Sequence, residues 1–335
     1  MQKLRFLRRV RKGYTWHSLK ATELCAVLGG DGFIGSHIVQ GLLALGFRVR
    51  VVDRFLHGRS VNLRHMEDRI EIVAADVFDP DRLDRSILHG VKYLFHFAAP
   101  STPASSLLDP AEEFRRHLSP TVRLFQTAKE MGVHRVLFPS SGGTVYGPRP
   151  RCPAAEDDRL DPVTPHSIVK VAIEKYLNLL RLHGLDSIVY RIGNAYGPRQ
   201  RGWITQQGVI SVLLRAALRE EPVPVIGGGK TTRDYIFVDD LLDAIFRSFN
   251  KPHRYHVYNV GSGRGVSLRT IIQDVERTTG KKLRKTVQEI RVGETTRIVL
   301  DIQRVSREFR WQPRTSLLSG IRKTWEWIQA IADQE

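Results

Sequence analysis

Leu24-Cys25-Ala26-Val27-Leu28-Gly29-Gly30-Asp31-Gly32-Phe33-Ile34-Gly35-Ser36-His37-Ile38-Val39 reads as a buried strand, a glycine turn and the opening of a helix. That order is the pattern of a dinucleotide cradle. Gly29 and Gly32 let the turn bring bare backbone against a pyrophosphate, Phe33 and Ile34 open the helix whose N-terminus faces the phosphates, and Gly35 lets that helix pack on the strand. A second strand, Arg48-Val49-Arg50-Val51-Val52, ends at Asp53, whose carboxylate can accept both hydroxyls of an adenosine ribose and repel a 2′-phosphate. NAD is therefore expected rather than NADP, with the cation of Arg54 as the one feature pointing the other way. The plain alternative, a tight connection and nothing more, does not explain why turn, helix and acidic strand end occur in this order.

Working outward, Ile70 to Val77, Tyr93 to Ala99, Arg135 to Ser141 and Asp186 to Asn194 are short apolar or β-branched runs separated by helical patterns. Such alternation predicts an α/β fold, a Rossmann-like doubly wound parallel sheet. Asp109-Pro110 is a cap and first-turn pair ahead of Phe114, Leu118, Val122 and Phe125, with Pro120 expected to kink the helix. Thr164-Pro165 opens another helix, whose apolar stripe is Val169, Ile173, Leu177 and Leu180 and whose stop is Gly184. Beyond about Gly197 the rhythm loosens. The expected organisation is a basic arm over 1–24, a dinucleotide-binding domain over 25–195 with a returning segment near 236–262, and a smaller α/β substrate-binding region over 196–335.

Length and composition fit a globular protein: 335 residues, 41% hydrophobic, with no run of eighteen apolar residues and no secretory apolar block at the start, so a cytoplasmic place is expected. Cys25 and Cys152 provide neither a disulfide framework nor a metal cage, and no metal is expected. Residues 1–24 hold seven Lys or Arg against Glu23, interrupted by Leu4, Phe6, Leu7 and Val10. Three readings of this arm stay open: weak contact with an anionic membrane surface, an organelle transit peptide, or a plain extension. The rest carries 45 basic and 34 acidic residues, net +11, a charge that draws anions such as nucleotide diphosphates toward a cleft. Zinc spacing, RNA-binding aromatics and a basic recognition helix are all absent from the sequence, so nucleic acid is not expected as a partner.

Nine ordered blocks resemble one family: GGDGFIGSH (29–37), ADVFD (75–79), HFAAPS (96–101), FPSSGGTVYG (138–147), VKVAIEKYL (169–177), RIGNAYGPRQ (191–200), TRDYIFVDDL (232–241), NVGSG (259–263) and RWQPRTSLLSGIRKTWEW (310–327). The chain resembles the extended short-chain dehydrogenase/reductase enzymes, and within them the NAD-dependent nucleotide-sugar epimerase/dehydratase group typified by UDP-glucose 4-epimerase. The resemblance implies that Asp76 and Val77 meet the adenine, that Ala98, Ala99 and Pro100 line the cofactor, and that Lys170 bonds the nicotinamide ribose and lowers the pKa of the acid/base. It further implies that Asn194, Arg233 and Arg291 hold the diphosphate of a nucleotide sugar, UDP-linked in the typical members. Arg233 with Asp234 as a local ion pair is the competing reading. Members of the group serve polysaccharide synthesis, and they pair the helices near 110–131 and 165–183 across a homodimer.

Three positions depart from the family pattern. Where its catalytic motif has Tyr four residues before Lys, this chain has His166 before Lys170; where it places Ser or Thr on the fifth-strand motif, Gly142 stands, leaving the role to Ser141 or Thr144. His117 replaces a frequent Asn. His166 and Lys170 share a helix face, and imidazole titrates near neutrality, although it reaches less far than a phenol. The acidic pair of the dehydratases is here Gly143-Thr144, which implies an epimerase that oxidises C4 transiently and returns the hydride without facial preference. Two alternatives stand beside it: a catalytically impaired NAD and nucleotide-sugar binder, and a dehydratase or reductase of the same group.

Overall fold

The computed structural model describes residues 22–55, 62–79, 85–99, 101–148, 151–201, 208–288 and 295–332. They fall into two compact units, one of residues up to 140 with 164–190 and 246–256, the other of 141–163, 191–245 and 257–335. Most of the arm (1–21), Pro100 and Arg291 lie outside the described residues.

The first unit begins with β1 (Leu24–Leu28), every residue of which is buried. It is followed by α1 (Phe33–Ala44), β2 (Arg48–Asp53), β3 (Glu71–Ala74) and β4 (Val91–His96). The chain goes on through α2 (Pro110–Glu113), α3 (Ser119–Glu130), β5 (Arg135–Ser141), α4 (Pro165–Leu182) and β6 (Asp186–Ile192). β1 pairs in parallel with β2 on one side and β4 on the other, and β2 continues to β3. The start of α4 is set locally: Thr164 and Ser167 form a reciprocal capping box, and Pro165 occupies the first turn, where its missing N–H costs nothing. Its stripe Val169, Ile173, Leu177 and Leu180 is buried as the periodicity predicts. Phe249 sits at the centre of an aromatic cluster, its ring 5.7 Å from Phe47, 5.4 Å from Tyr93 and 5.6 Å from Phe95.

The helix after β4 differs in detail from its sequence pattern. Instead of a kink at Pro120, the chain widens into a π turn over Phe114–Leu118 and resumes α geometry at Ser119. A π turn lets the ring of Pro120 enter without a clash, and it rotates the residues before it relative to those after it. Glu113 and His117 are brought to the buried side by this segment.

The second unit holds β7 (Asn194–Tyr196), α5 (Val209–Arg219), β8 (Pro222–Ile226), β9 (Thr232–Phe237), most of α6 (Val238–Ser248) and β10 (Val257–Val260). It ends with β11 (Gly265–Ser267), α7 (Leu268–Thr279), β12 (Arg284–Gln288), α8 (Gln303–Phe309) and α9 (Leu317–Ala332). β11, β9 and β7 form one small sheet, and β12 pairs in parallel with β8. The buried carboxylate of Asp234 staples this unit: it accepts from the N–H groups of Ser262 (2.6 Å), Gly263 (3.1 Å) and Leu300 (3.2 Å) and from the Ser262 hydroxyl (2.7 Å). Four donors offset the cost of burying a charge. The run Asp186 to Asn194, read as one strand, is divided at Gly193 into β6 and β7.

The large sheet has the order β10-β6-β5-β4-β1-β2-β3. Strand order therefore reverses between β1 and β4, and in open α/β sheets the carboxyl ends of the strands at that reversal are where ligands bind. Among the described residues no helix is long and apolar enough to cross a membrane.

Candidate active site

At the β1/β4 reversal the glycine turn meets the end of β4. Phe97 N–H donates to the Leu28 carbonyl at 2.9 Å, and Gly29, at φ +74°, lies so close to the neighbouring chain that a Cβ would come 2.6 Å from the Ala98 nitrogen. Only glycine fits there. A Cβ on Gly35 would run into the Gly29 carbonyl, so α1 packs directly on the turn. Gly32, by contrast, is exposed, and a Cβ on it would meet only the Gly29 oxygen, at 3.1 Å. It is the cap of α1, with no side chain bonding the helix N–H groups and no acid in the first turn. An open glycine in front of uncapped helix donors is a place a pyrophosphate fits, with Phe33 and Ile34 half-buried beside it.

Asp53, at the end of β2, faces the same turn: its Oδ2 accepts from Asp31 N–H at 3.0 Å and its Oδ1 from Phe55 N–H at 3.2 Å. Each oxygen keeps a further lone pair for a ribose hydroxyl. Arg54 pairs with Asp76 at 3.5 Å, and Asp76 also accepts from Phe78 N–H at 3.0 Å, with Val77 buried between. The residues present thus fit an adenine dinucleotide. Ala98 is half-buried and Ala99 exposed at the end of β4.

His166 and Lys170 lie one turn apart near the start of α4, both buried. Lys170 Nζ donates to the Pro139 carbonyl at 3.0 Å and stands 4.6 Å from the centroid of the Phe138 ring. Burial lowers its pKa to about 8, against the opposing pull of Glu113 and Glu174. Burial also drives His166 down, to about 3, reinforced by the Lys170 and His117 charges and resisted by Glu113. The ring is therefore an uncharged base at neutral pH. Glu174, one turn beyond Lys170, accepts a short hydrogen bond from Ser140.

Three residues around His166 were not assigned a role from the sequence. Ser101 Oγ lies 3.2 Å from His166 Nδ1, Ser106 Oγ accepts from the His166 backbone N–H at 3.2 Å, and Glu113 Oε1 is 3.8 Å from the same Nδ1. Glu113 also accepts from His117 Nδ1 at 2.9 Å. The i, i+4 spacing of Glu113 and His117 was a visible signal; the link from either to His166, about fifty positions on, was not. Burial lowers His117 to about 4 in spite of that bond. Glu113, His117 and His166 each offer an atom within 4.8 Å of the others, a separation that suits a divalent ion. The carboxylate is already engaged by imidazole, and the Lys170 ammonium acts on both rings, which favours a hydrogen-bonded group over a cation site.

The second unit holds the remaining candidates. Ser141 ends β5 and its carbonyl accepts from the N–H groups of Thr144 (3.3 Å) and Val145 (3.1 Å), which folds Gly142-Gly143 into a turn. Gly142 explains its own departure from the family: a Cβ would lie 3.0 Å from the Arg191 carbonyl, 3.1 Å from that of Ile192 and 2.7 Å from Leu300 Cδ1. A hydroxyl side chain at that position would have to displace these neighbours. Thr144 Oγ1 is buried and has no hydrogen-bond partner among the described residues, the state expected of a hydroxyl whose partner is a ligand. Asn194 opens β7 beside Tyr235 of β9, and its Oδ1 is 3.4 Å from where a Gly143 Cβ would stand. Arg233, half-buried on β9, donates to the Thr232 carbonyl at 3.2 Å. The Asp234 carboxylate is occupied by the four donors of the staple. A cavity of about 790 Å³ in the same unit, lined by Tyr196, Tyr235, Ser262 and Arg264 among others, is reached by none of these candidates.

Known proteins resemble this chain over most of its length. The model of the NAD-dependent epimerase/dehydratase family matches residues 25–261. A UDP-glucose 4-epimerase of Mycolicibacterium smegmatis is 36% identical over 306 residues, covering 90% of this chain and 97% of the relative. The crystal structure of a Thermotoga maritima UDP-glucose 4-epimerase with UDP-glucose is similar at a TM-score of 0.86 and 31% identity, over 92% of this chain and 99% of that one. A Thermus thermophilus UDP-glucose 4-epimerase complexed with NAD gives 0.83 and 30%, over 91% and 99%. This chain belongs to the NAD-dependent epimerase/dehydratase family.

Proposed function

We propose that this chain is a UDP-sugar 4-epimerase that uses His166 in the place of a phenol. The observation that carries the reading is a buried, uncharged imidazole one helical turn from a buried ammonium, in a chain alike over nine tenths of its length to a UDP-glucose 4-epimerase. The Gly29–Gly35 turn, Asp53, Asp76, Val77, Ala98, Ala99, Pro100 and Lys170 would hold NAD, which would supply reversible acceptance of a hydride from the sugar C4. His166 removes the proton of the 4-hydroxyl and gives it back, and burial, reinforced by Lys170, keeps that ring uncharged between turnovers. Ser141 and Thr144 orient the hydroxyl; Asn194, Arg233 and Arg291 hold the diphosphate, guanidinium forks being matched to phosphate oxygens. The keto sugar can turn over, so that the hydride returns to its other face. Interconversion of UDP-glucose with UDP-galactose, and of their N-acetyl and uronic acid counterparts, tests this: turnover by the wild type and its loss in His166→Gln is expected. No turnover by the wild type together with activity in His166→Tyr would refute catalysis by His166.

The departures at His166, Gly142 and His117 favour a second reading, a chain that binds NAD and a nucleotide sugar without turning it over. Slow growth of near-ultraviolet absorbance when a UDP sugar is added to the NAD-loaded protein would contradict it. The partner in solution is taken to be a second copy. Leu108, in the turn before α2, and Leu179 and Leu182, on α4, are 87%, 45% and 71% exposed, apolar surface that a second copy could cover. Light scattering should give a dimer for the wild type and a monomer for Leu179→Glu. A cytoplasmic place, with the arm contributing at most weak attraction to anionic lipid, is tested by cell fractionation with and without residues 1–24.

A further inference from the structure

The bonds around His166 decide which of its nitrogens is the base. Glu113 is 5% exposed; burial alone would raise its pKa, but hydrogen bonds from His117 and Ser101 outweigh that and lower it, so it is a carboxylate that only accepts. One of those donors is the Ser101 hydroxyl, which has a single proton. The Glu113 carboxylate stands 3.8 Å from His166 Nδ1 and Ser101 Oγ 3.2 Å from it, so a hydrogen on Nδ1 faces an anion and an oxygen that can accept, while the proton of Ser101 serves Glu113. The opposite arrangement would aim a nitrogen lone pair at a carboxylate oxygen 3.8 Å away and deprive a buried charge of a donor. The backbone of His166 is held as well, its N–H donating to Ser106 Oγ at 3.2 Å. His166 Nε2 is left without a hydrogen bond among the described residues.

We propose that Glu113, acting through Ser101, is a positioning residue that fixes His166 as the Nδ1–H tautomer and leaves Nε2 as the atom that exchanges a proton with the sugar hydroxyl. The catalytic part of this rests on the epimerase reading above; the tautomer does not. The device replaces what a phenol needs no help to do, since a phenol has one oxygen and an imidazole has two nitrogens to choose between. The charged and titratable groups that face the ring or its partners are Glu113 and His117 from the segment 110–118, Lys170 with Glu174 behind it from α4, and His96 from β4. Glu113→Gln reverses the polarity of the relay, because the amide can donate to Ser101 Oγ, which then gives its own proton to Nδ1. Glu113→Asp keeps the polarity.

The test is two-bond ¹H–¹⁵N spectroscopy of ¹⁵N-histidine in the full NAD-loaded chain, with His166 assigned by difference against His166→Gln. The wild type should show a protonated Nδ1 and a bare Nε2, and Glu113→Gln the reverse. In turnover, Glu113→Gln should lower kcat by about 10²-fold with KM little changed, its pH profile shifted to lower pH, and Glu113→Asp should recover part of kcat. Ser101→Ala, a smaller change, should also lose the Nδ1–H preference if Glu113→Gln fails to fold. A wild-type ring protonated at Nε2, or an unaltered tautomer in both variants, would overturn the proposal. So would one bound metal per chain whose chelation changes the His166 signals, because the three side chains would then be ligands. A wild type with no turnover but the stated tautomer would sink the epimerase reading and support the relay.

Discussion

Restoring the family's hydroxyl at position 142 should harm this protein instead of improving it. In Gly142→Ser the new Cβ must find room between two main-chain carbonyls, those of Arg191 at 3.0 Å and Ile192 at 3.1 Å, and Leu300 Cδ1 at 2.7 Å. The Leu300 methyl is the soft neighbour, but Leu300 is 1% exposed and its N–H is held by the Asp234 staple, so it has little freedom to withdraw. The carbonyls belong to β6, and Ile192 accepts from Gly142 N–H at 2.8 Å; pushing them apart stretches that bond. Overpacking of this kind costs ~1–3 kcal/mol. The φ of Gly142 is not in the left-handed region, so the loss of glycine freedom in the unfolded chain returns ~0.4–1 kcal/mol. The net loss, about 1–2 kcal/mol, corresponds to a fall in Tm of roughly 1.5–3 °C for a chain of 335 residues. Differential scanning calorimetry of both proteins, with kcat for the sugar interconversion measured alongside, checks it. A Gly142→Ser protein as stable as wild type and more active would refute the packing argument and the transfer of the hydroxyl's role to Ser141 and Thr144.

Thr144→Val removes a buried hydroxyl that has no partner among the described residues, so thermal stability should hold or rise slightly while turnover falls about tenfold; a fall in both would mean that Thr144 is structural. Asp53→Ala should weaken NAD binding more than NADP binding in calorimetric titration, and unchanged discrimination would remove Asp53 from the ribose site. The folded-state pKa values of His166 and His117, about 3 and about 4, lie below the unfolded value of 6.5. The unfolded chain therefore binds more protons between those limits, and stability should decline as pH falls from about 6.5 toward 4. Thermal unfolding across that window should show a shallower decline in His166→Gln; equal slopes would indicate that the ring is not buried uncharged.

The dinucleotide half was legible because its signals are local: three glycines, a helix start and an acidic strand end within thirty residues, each with a backbone reason. The capping box of α4 was half visible in Thr164-Pro165, and Ser167 completed it. The π turn was not legible, since a proline inside a helical pattern predicts disruption without saying which kind. The group around His166 was hidden for a different reason. Ser101, Glu113 and His166 come from three segments, and only the strand order brings them to one place. Gly142 read as a missing hydroxyl; its cause, two carbonyls of β6, depended on a strand fifty residues away.

The central claim is that the sugar C4 lends its hydride within the protein and receives it back, with His166 exchanging the proton. UDP-glucose carrying deuterium at C4, incubated with the purified NAD-loaded chain in ordinary water, tests this most directly. The account predicts UDP-galactose that retains the deuterium at C4, and none in His166→Gln. Product that has lost the label to solvent, or no product from the wild type, would contradict it.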